Sequence, residues 1–109
     1  MSNKVKITVI KKEFYQDLYD QYVGKPDDGI CTAVDVGDTF VVTGDNYPTF
    51  CTDTGFCPFA WENMKINVFS ALNGGDFFFP GWNRYPDKTV ICCNDGIRPV
   101  GFLLEKFEA

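Results

Sequence analysis

The chain has 109 residues, room for one domain around one hydrophobic core. Its formal charge of −5 and pI near 4.5 disfavour a phosphate-backbone partner, and no run approaches the ~20 apolar residues of a membrane span. It contains no histidine, which excludes Ser-His-Asp and Cys-His pairs, His-x-x-Glu-His zinc helices and two-His-one-carboxylate iron sites.

Met1 to Lys4 lead into no apolar h-region and no small-residue cleavage site, so a cytoplasmic protein is expected. Lys4–Lys12 predicts a strand with Val5, Ile7 and Val9 on one face. Its lysines read as the solvated side of an edge strand. A helix follows over about 13–22, with Phe14, Leu18 and Tyr22 one turn apart, and Gly24 ends it. Lys25-Pro26-Asp27-Asp28-Gly29 is a turn cluster. Ile30–Val36 predicts a strand carrying Cys31. Val36-Gly37-Asp38-Thr39-Phe40 then reads as a turn into a paired strand over Thr39–Thr43. Gly44–Gly55 reads as a polar loop holding Pro48 and Cys51.

The second helix, about 58–73, has the clearest start. Pro58 suits the first helical position, Trp61, Met64 or Lys65, Val68 and Leu72 keep the 3.6-residue period, and Asn73-Gly74-Gly75 stops it. Phe77 to Trp82 read as an aromatic loop or a short edge strand. Thr89–Cys93 and Pro99–Phe107 predict two strands joined by a turn at Asn94-Asp95-Gly96. The order β-α-β-β-α-β-β is that of a single α+β domain over 1–109. The expected architecture is a small curved antiparallel or mixed sheet, or a partly open barrel, with two helices.

Five cysteines, an odd number, fit reduced thiols better than a disulfide scaffold. Cys57 precedes Pro58 at the expected N-cap, where unpaired N–H groups and the positive end of the helix dipole stabilise a thiolate. A packed small hydrophobe is the alternative reading of the same residue. No Cys-x-x-Cys pair exists, so a metal has to draw ligands from separate elements. Cys31, Cys57 and Cys93 are the candidates, with Cys51 a fourth, and zinc or iron the corresponding ion. Neighbouring strand residues face opposite sides, so Cys92 and Cys93 cannot both join one site. Asp95 and Arg98 read either as turn chemistry or as the mouth of a pocket beside Cys93. The Phe77 to Trp82 aromatics read as core or as an interface between copies.

Cys31, Val36-Gly37-Asp38-x-Phe40, Pro48, Cys57-Pro58-x-Ala60-Trp61, Cys93-x-Asp95-Gly96-x-Arg98-Pro99-Val100-x-Phe102 and Glu105 together resemble a family of small uncharacterised bacterial and archaeal proteins associated with anaerobes. The resemblance spans nearly the whole chain, and its last block is the most specific. The family's late motif reads Cys-Pro-Asp-Gly, with Asn94 here in the proline position. That alignment implies Cys93, not Cys92, as the shared cysteine, and adds no reaction.

The leading expectation is an accessory module that binds a small molecule, a metal or a protein partner, without nucleic acid or membrane. Its candidate ligand-binding residues are Cys31, Cys57, Cys93, Asp95, Arg98 and Trp61. The alternatives are a thiol enzyme with Cys57 as nucleophile or redox centre, and a structural homo-oligomer.

Overall fold

The protein is described by a computed structural model covering residues 3–24 and 29–108. Met1 and Ser2, part of the reading against a secretory signal, and Lys25 to Asp28 of the expected turn lie outside the described residues.

Strand β1 (Asn3–Lys12) is followed by helix α1 (Gln16–Tyr22), strand β2 (Thr39–Val42), a 3-10 turn (Tyr47–Thr49) and helix α2 (Phe50–Thr54). Helix α3 (Pro58–Leu72) and strands β3 (Lys88–Cys92) and β4 (Val100–Glu108) complete the order. The strands form one open antiparallel sheet, β2-β1-β4-β3. The fold is therefore α+β as expected, an open antiparallel sheet and not a partly open barrel, and the described residues form three α-helices where two were expected.

One sheet face makes the core. Val5, Ile7 and Val9 of β1 stand beside Val42 of β2 and beside Val100, Phe102 and Leu104 of β4, all buried. Helix α3 covers this face with Ala60, Met64, Val68 and Ala71. Phe50 and Phe56 fill the end of the layer near the start of α3. The described residues leave the opposite sheet face largely open, as antiparallel sheets allow. It carries Val41, Val90, Cys92 and Phe107, and the Lys88–Glu105 pair at 3.6 Å. No helix among the described residues is long and apolar enough to cross a membrane.

Five local expectations need correction. β1 is not an edge strand, because β2 and β4 flank it. Ile30–Val36 is not a strand. β1, to which it is tied, already pairs with β2 on one side and β4 on the other, so the segment cannot add to β1 as a strand. The segment is instead tied to β1 by a side chain, Lys12 Nζ donating to the Val34 carbonyl at 2.6 Å. The turn before β2 does not join two strands of a hairpin. It is closed by Asp38, which accepts the Asp35 N–H, and is held against Val9 by two backbone bonds. The 44–55 stretch is not a polar loop but the 3-10 turn and α2. Its short helix is held by burial of Phe50, a tertiary effect invisible to local propensity. Helix α1 also starts later than 13, because the Glu13 and Tyr15 amides extend the sheet pairing to the Pro99 and Ile97 carbonyls.

Candidate functional site

Three segments meet at the N-terminal end of α3. The first is the α2–α3 corner. Gly55, at φ 73°, takes the left-handed conformation that ends α2, and its N–H donates to the Cys51 carbonyl. Two residues later Cys57 is the N-cap of α3, in extended backbone, with Pro58 at the first helical position. The Cys57 carbonyl accepts the first helical bond, from Trp61 N–H at 3.0 Å. Buried Phe56 fixes this corner, its ring 4.9 Å from Phe40, 5.3 Å from Phe50 and 5.4 Å from Phe102.

The second segment carries Cys31, whose sulfur accepts the Ala33 N–H at 3.4 Å. The third is the β3–β4 connection. Cys93 and Val100 close it, through a 3.1 Å backbone bond and a 3.4 Å bond from Val100 N–H to Cys93 Sγ. Asp95 organises the turn between them. Its Oδ1 accepts the Ile97 and Arg98 amides at 2.9 and 3.0 Å, and its Oδ2 accepts Arg98 Nε at 3.1 Å. Partial burial pushes the Asp95 carboxyl up, but those donors and the guanidinium charge outweigh it and hold it below the usual carboxylate range. The turn reading of Asp95 is thus correct. It coexists with the pocket placement.

These segments enclose a cleft of about 590 Å³, lined by Cys31, Ala33, Gly55, Cys57, Pro58, Phe59, Cys93, Asn94, Asp95 and Arg98. Five of the six residues expected to bind a ligand therefore lie on one wall system. Trp61 does not. Its ring sits 4.9 Å from Phe50 and 5.5 Å from Tyr47, so it is a packing residue. Cys51 is also outside the cleft, half-buried on α2 against the core. Burial pushes the Cys51 thiol up, Cys57 and Glu62 add to this, and Lys65 opposes it, which favours the neutral thiol. Cys92 is exposed on the open sheet face while Cys93 packs towards the core, as strand alternation requires.

Among the described residues no three His, Cys, Asp or Glu side chains come together as a metal would need. The zinc or iron set of Cys31, Cys57, Cys93 and Cys51 is thus not assembled in this conformation. The cleft residue that sequence reasoning missed is Phe59. It is apolar yet 66% exposed. The signal was present, since Phe59 falls outside the Trp61–Met64–Val68 stripe. Of the remaining walls, Gly55, Pro58 and Asn94 carry sequence signals for a turn or a helix start and none for a ligand, and Ala33 carries no signal. Compared with known protein families, curated proteins and solved structures, the chain matches none.

Proposed function

We propose that the protein is a small binding module that holds an organic ligand in the cleft of Cys31, Cys57 and Cys93. The observation that carries this reading is the convergence of three thiols, from three separate segments, on one 590 Å³ cleft with an apolar side chain and an ion pair at its walls. That volume is in the range of small-molecule sites, and a mostly apolar lining with a few placed polar groups is their usual make-up. The resemblance to the family of small proteins from anaerobes, itself part of the proposal, singles out the same three cysteines.

The test uses a bulky thiol reagent, monobromobimane, with mass spectrometry of singly labelled protein. Mutual exclusion is expected among Cys31, Cys57 and Cys93, while Cys92 on the far face labels independently. Simultaneous complete labelling of all three cleft cysteines rules the shared site out.

A second reading makes Cys57 a nucleophile or redox centre. Its support is the N-cap position on a helix of 15 residues, with Pro58 next in line. Iodoacetamide labelling across pH decides it. Cys57 reacting no faster at neutral pH than a small free thiol eliminates this chemistry.

A further inference from the structure

Strand β3 is an edge of the sheet. The bonds Cys93 N–H to Val100 O and Lys106 N–H to Asp87 O fix its phase. Odd-numbered residues pair with β4, and Lys88, Val90 and Cys92 turn their backbone groups outward. Two of those six outward groups are already taken. Lys88 N–H donates to the Tyr85 carbonyl at 3.2 Å, and the Cys92 carbonyl accepts Asn63 Nδ2 at 3.1 Å. Among the described residues the other four have no partner: Lys88 C=O, Val90 N–H, Val90 C=O and Cys92 N–H.

These four form a self-complementary set. In an antiparallel ladder with a two-fold axis at Val90, Val90 exchanges both bonds with its own copy, and residue 88 faces residue 92 of the second chain. The free Cys92 N–H then meets the free Lys88 C=O, twice. The two groups already occupied face each other, so their internal partners cost the ladder no orphan. A foreign peptide lacks this reciprocity, since its own groups opposite the occupied pair are left without partners. The other sheet edge offers no such centre, because the outward Val41 carbonyl already accepts Asn46 Nδ2 at 3.1 Å and β2 has only four residues.

The side chains agree. Val90 is 61% exposed and Trp82 71% exposed, and the two share grooves on both sides of the edge, with Phe78 in one and Tyr85 in the other. Burying such aromatics is the usual source of energy at a subunit contact. The only charged side chain on the strand, Lys88, stays about 13 Å from its copy in this register, beyond a Debye length at physiological salt.

We infer that β3 pairs with β3 of a second copy about a two-fold axis at Val90, joining two sheets into one continuous eight-stranded sheet. The contact is isologous, the commonest arrangement for a homodimer.

The test is sedimentation equilibrium of the full chain in reductant, with hydrogen exchange at low and high protein concentration. A dimer mass is expected, with the Val90 and Cys92 amides slowing as concentration rises and the Lys88 amide unchanged. Val90→Pro removes an outward N–H without breaking the β3–β4 ladder. Val90→Lys sets two charges face to face across the axis. Each is expected to weaken the dimer by roughly tenfold or more with the fold intact by circular dichroism. Should Val90→Pro fail to fold, Val90→Lys and the amide pattern decide. A monomer at all concentrations, a dimer seen only without reductant, a dimer unaffected by Val90→Lys, or unchanged Val90 and Cys92 exchange overturns the inference.

Discussion

Phe56 and Phe59 lie on either side of the α3 N-terminus, one inside the protein and one outside, and they give a controlled measure of what holds the cleft. Phe56 is 1% exposed and touches four rings, those of Phe40, Phe50, Trp61 and Phe102. Truncating it removes a buried ring from the centre of that group, and the neighbours sit on β2, α2, α3 and β4, so they cannot all collapse into the gap. Phe56→Ala is expected to cost about 3–5 kcal/mol. Against a typical domain stability of about 5–15 kcal/mol that is a large share. Phe59→Ala, at 66% exposure, is expected to stay within about 0.5 kcal/mol. Thermal unfolding by circular dichroism reads both, with a drop of at least about 12 °C for the first and almost none for the second. Bimane labelling adds the functional half. Phe59→Ala should widen access to Cys57 without loosening the fold. Equal costs for the two substitutions, or a mild Phe56→Ala, would refute the placement of the corner on the Phe56 ring cluster.

Asp95→Ala is expected to cost about 1 kcal/mol at neutral pH, a figure lowered for solvent screening because the side chain is 34% exposed. The Asp95 carboxyl is held below its ordinary value, so its contribution is complete above that value and is lost as pH falls through the folded-state value. Urea midpoints from about pH 6 to 2 should therefore converge between wild type and Asp95→Ala at the acid end. Lys12→Met is expected to cost about 1–2 kcal/mol by leaving the Val34 carbonyl without its donor, on a side chain only 12% exposed. Cys31 should then label faster while Cys93 does not change. Gly55→Ala is expected to cost about 1–2 kcal/mol through its left-handed backbone alone, since nothing lies within 4 Å of an added Cβ. Denaturant unfolding checks it, and a neutral result contradicts the assigned conformation.

The parts legible in the sequence are those where local pattern and tertiary role coincide. Val5, Ile7 and Val9 alternate because β1 has one buried face, and Pro58 marks the start of α3 because its missing N–H is harmless there. The separation of Cys92 from Cys93 followed from pleat geometry alone. Local pattern failed where distant groups decide. Ile30, Val34 and Val36 have strand-like composition, but only the sheet order reveals that β1, to which Lys12 ties their segment, already has a strand on each side. Phe50 to Thr54 has no helical signature and becomes helical because Phe50 is buried. Trp61 shares the Cys57-Pro58-x-Ala60-Trp61 block with Cys57 and is among the candidate ligand-binding residues, yet its ring packs in the Phe50 and Tyr47 cluster. The cysteine cleft was legible as a set of three but not as a volume, because its other walls are residues of no special chemistry.

The place of β4 in the sheet has a consequence in time. It lies between β1 and β3, so the centre of the sheet joins residues from opposite regions of the chain, Asn3 opposite Glu108 and Val9 opposite Phe102. Contacts of such sequence separation slow folding, because a long loop must close before they reward it. During synthesis at about 5–20 residues per second, β1, β2 and α3 wait for β4 before the shared core can form. For that interval Cys31, Cys57 and Cys93 have no cleft around them. The thiols of the nascent chain meet the redox conditions of the cell before the fold shelters them, and a reducing environment at that stage serves assembly itself.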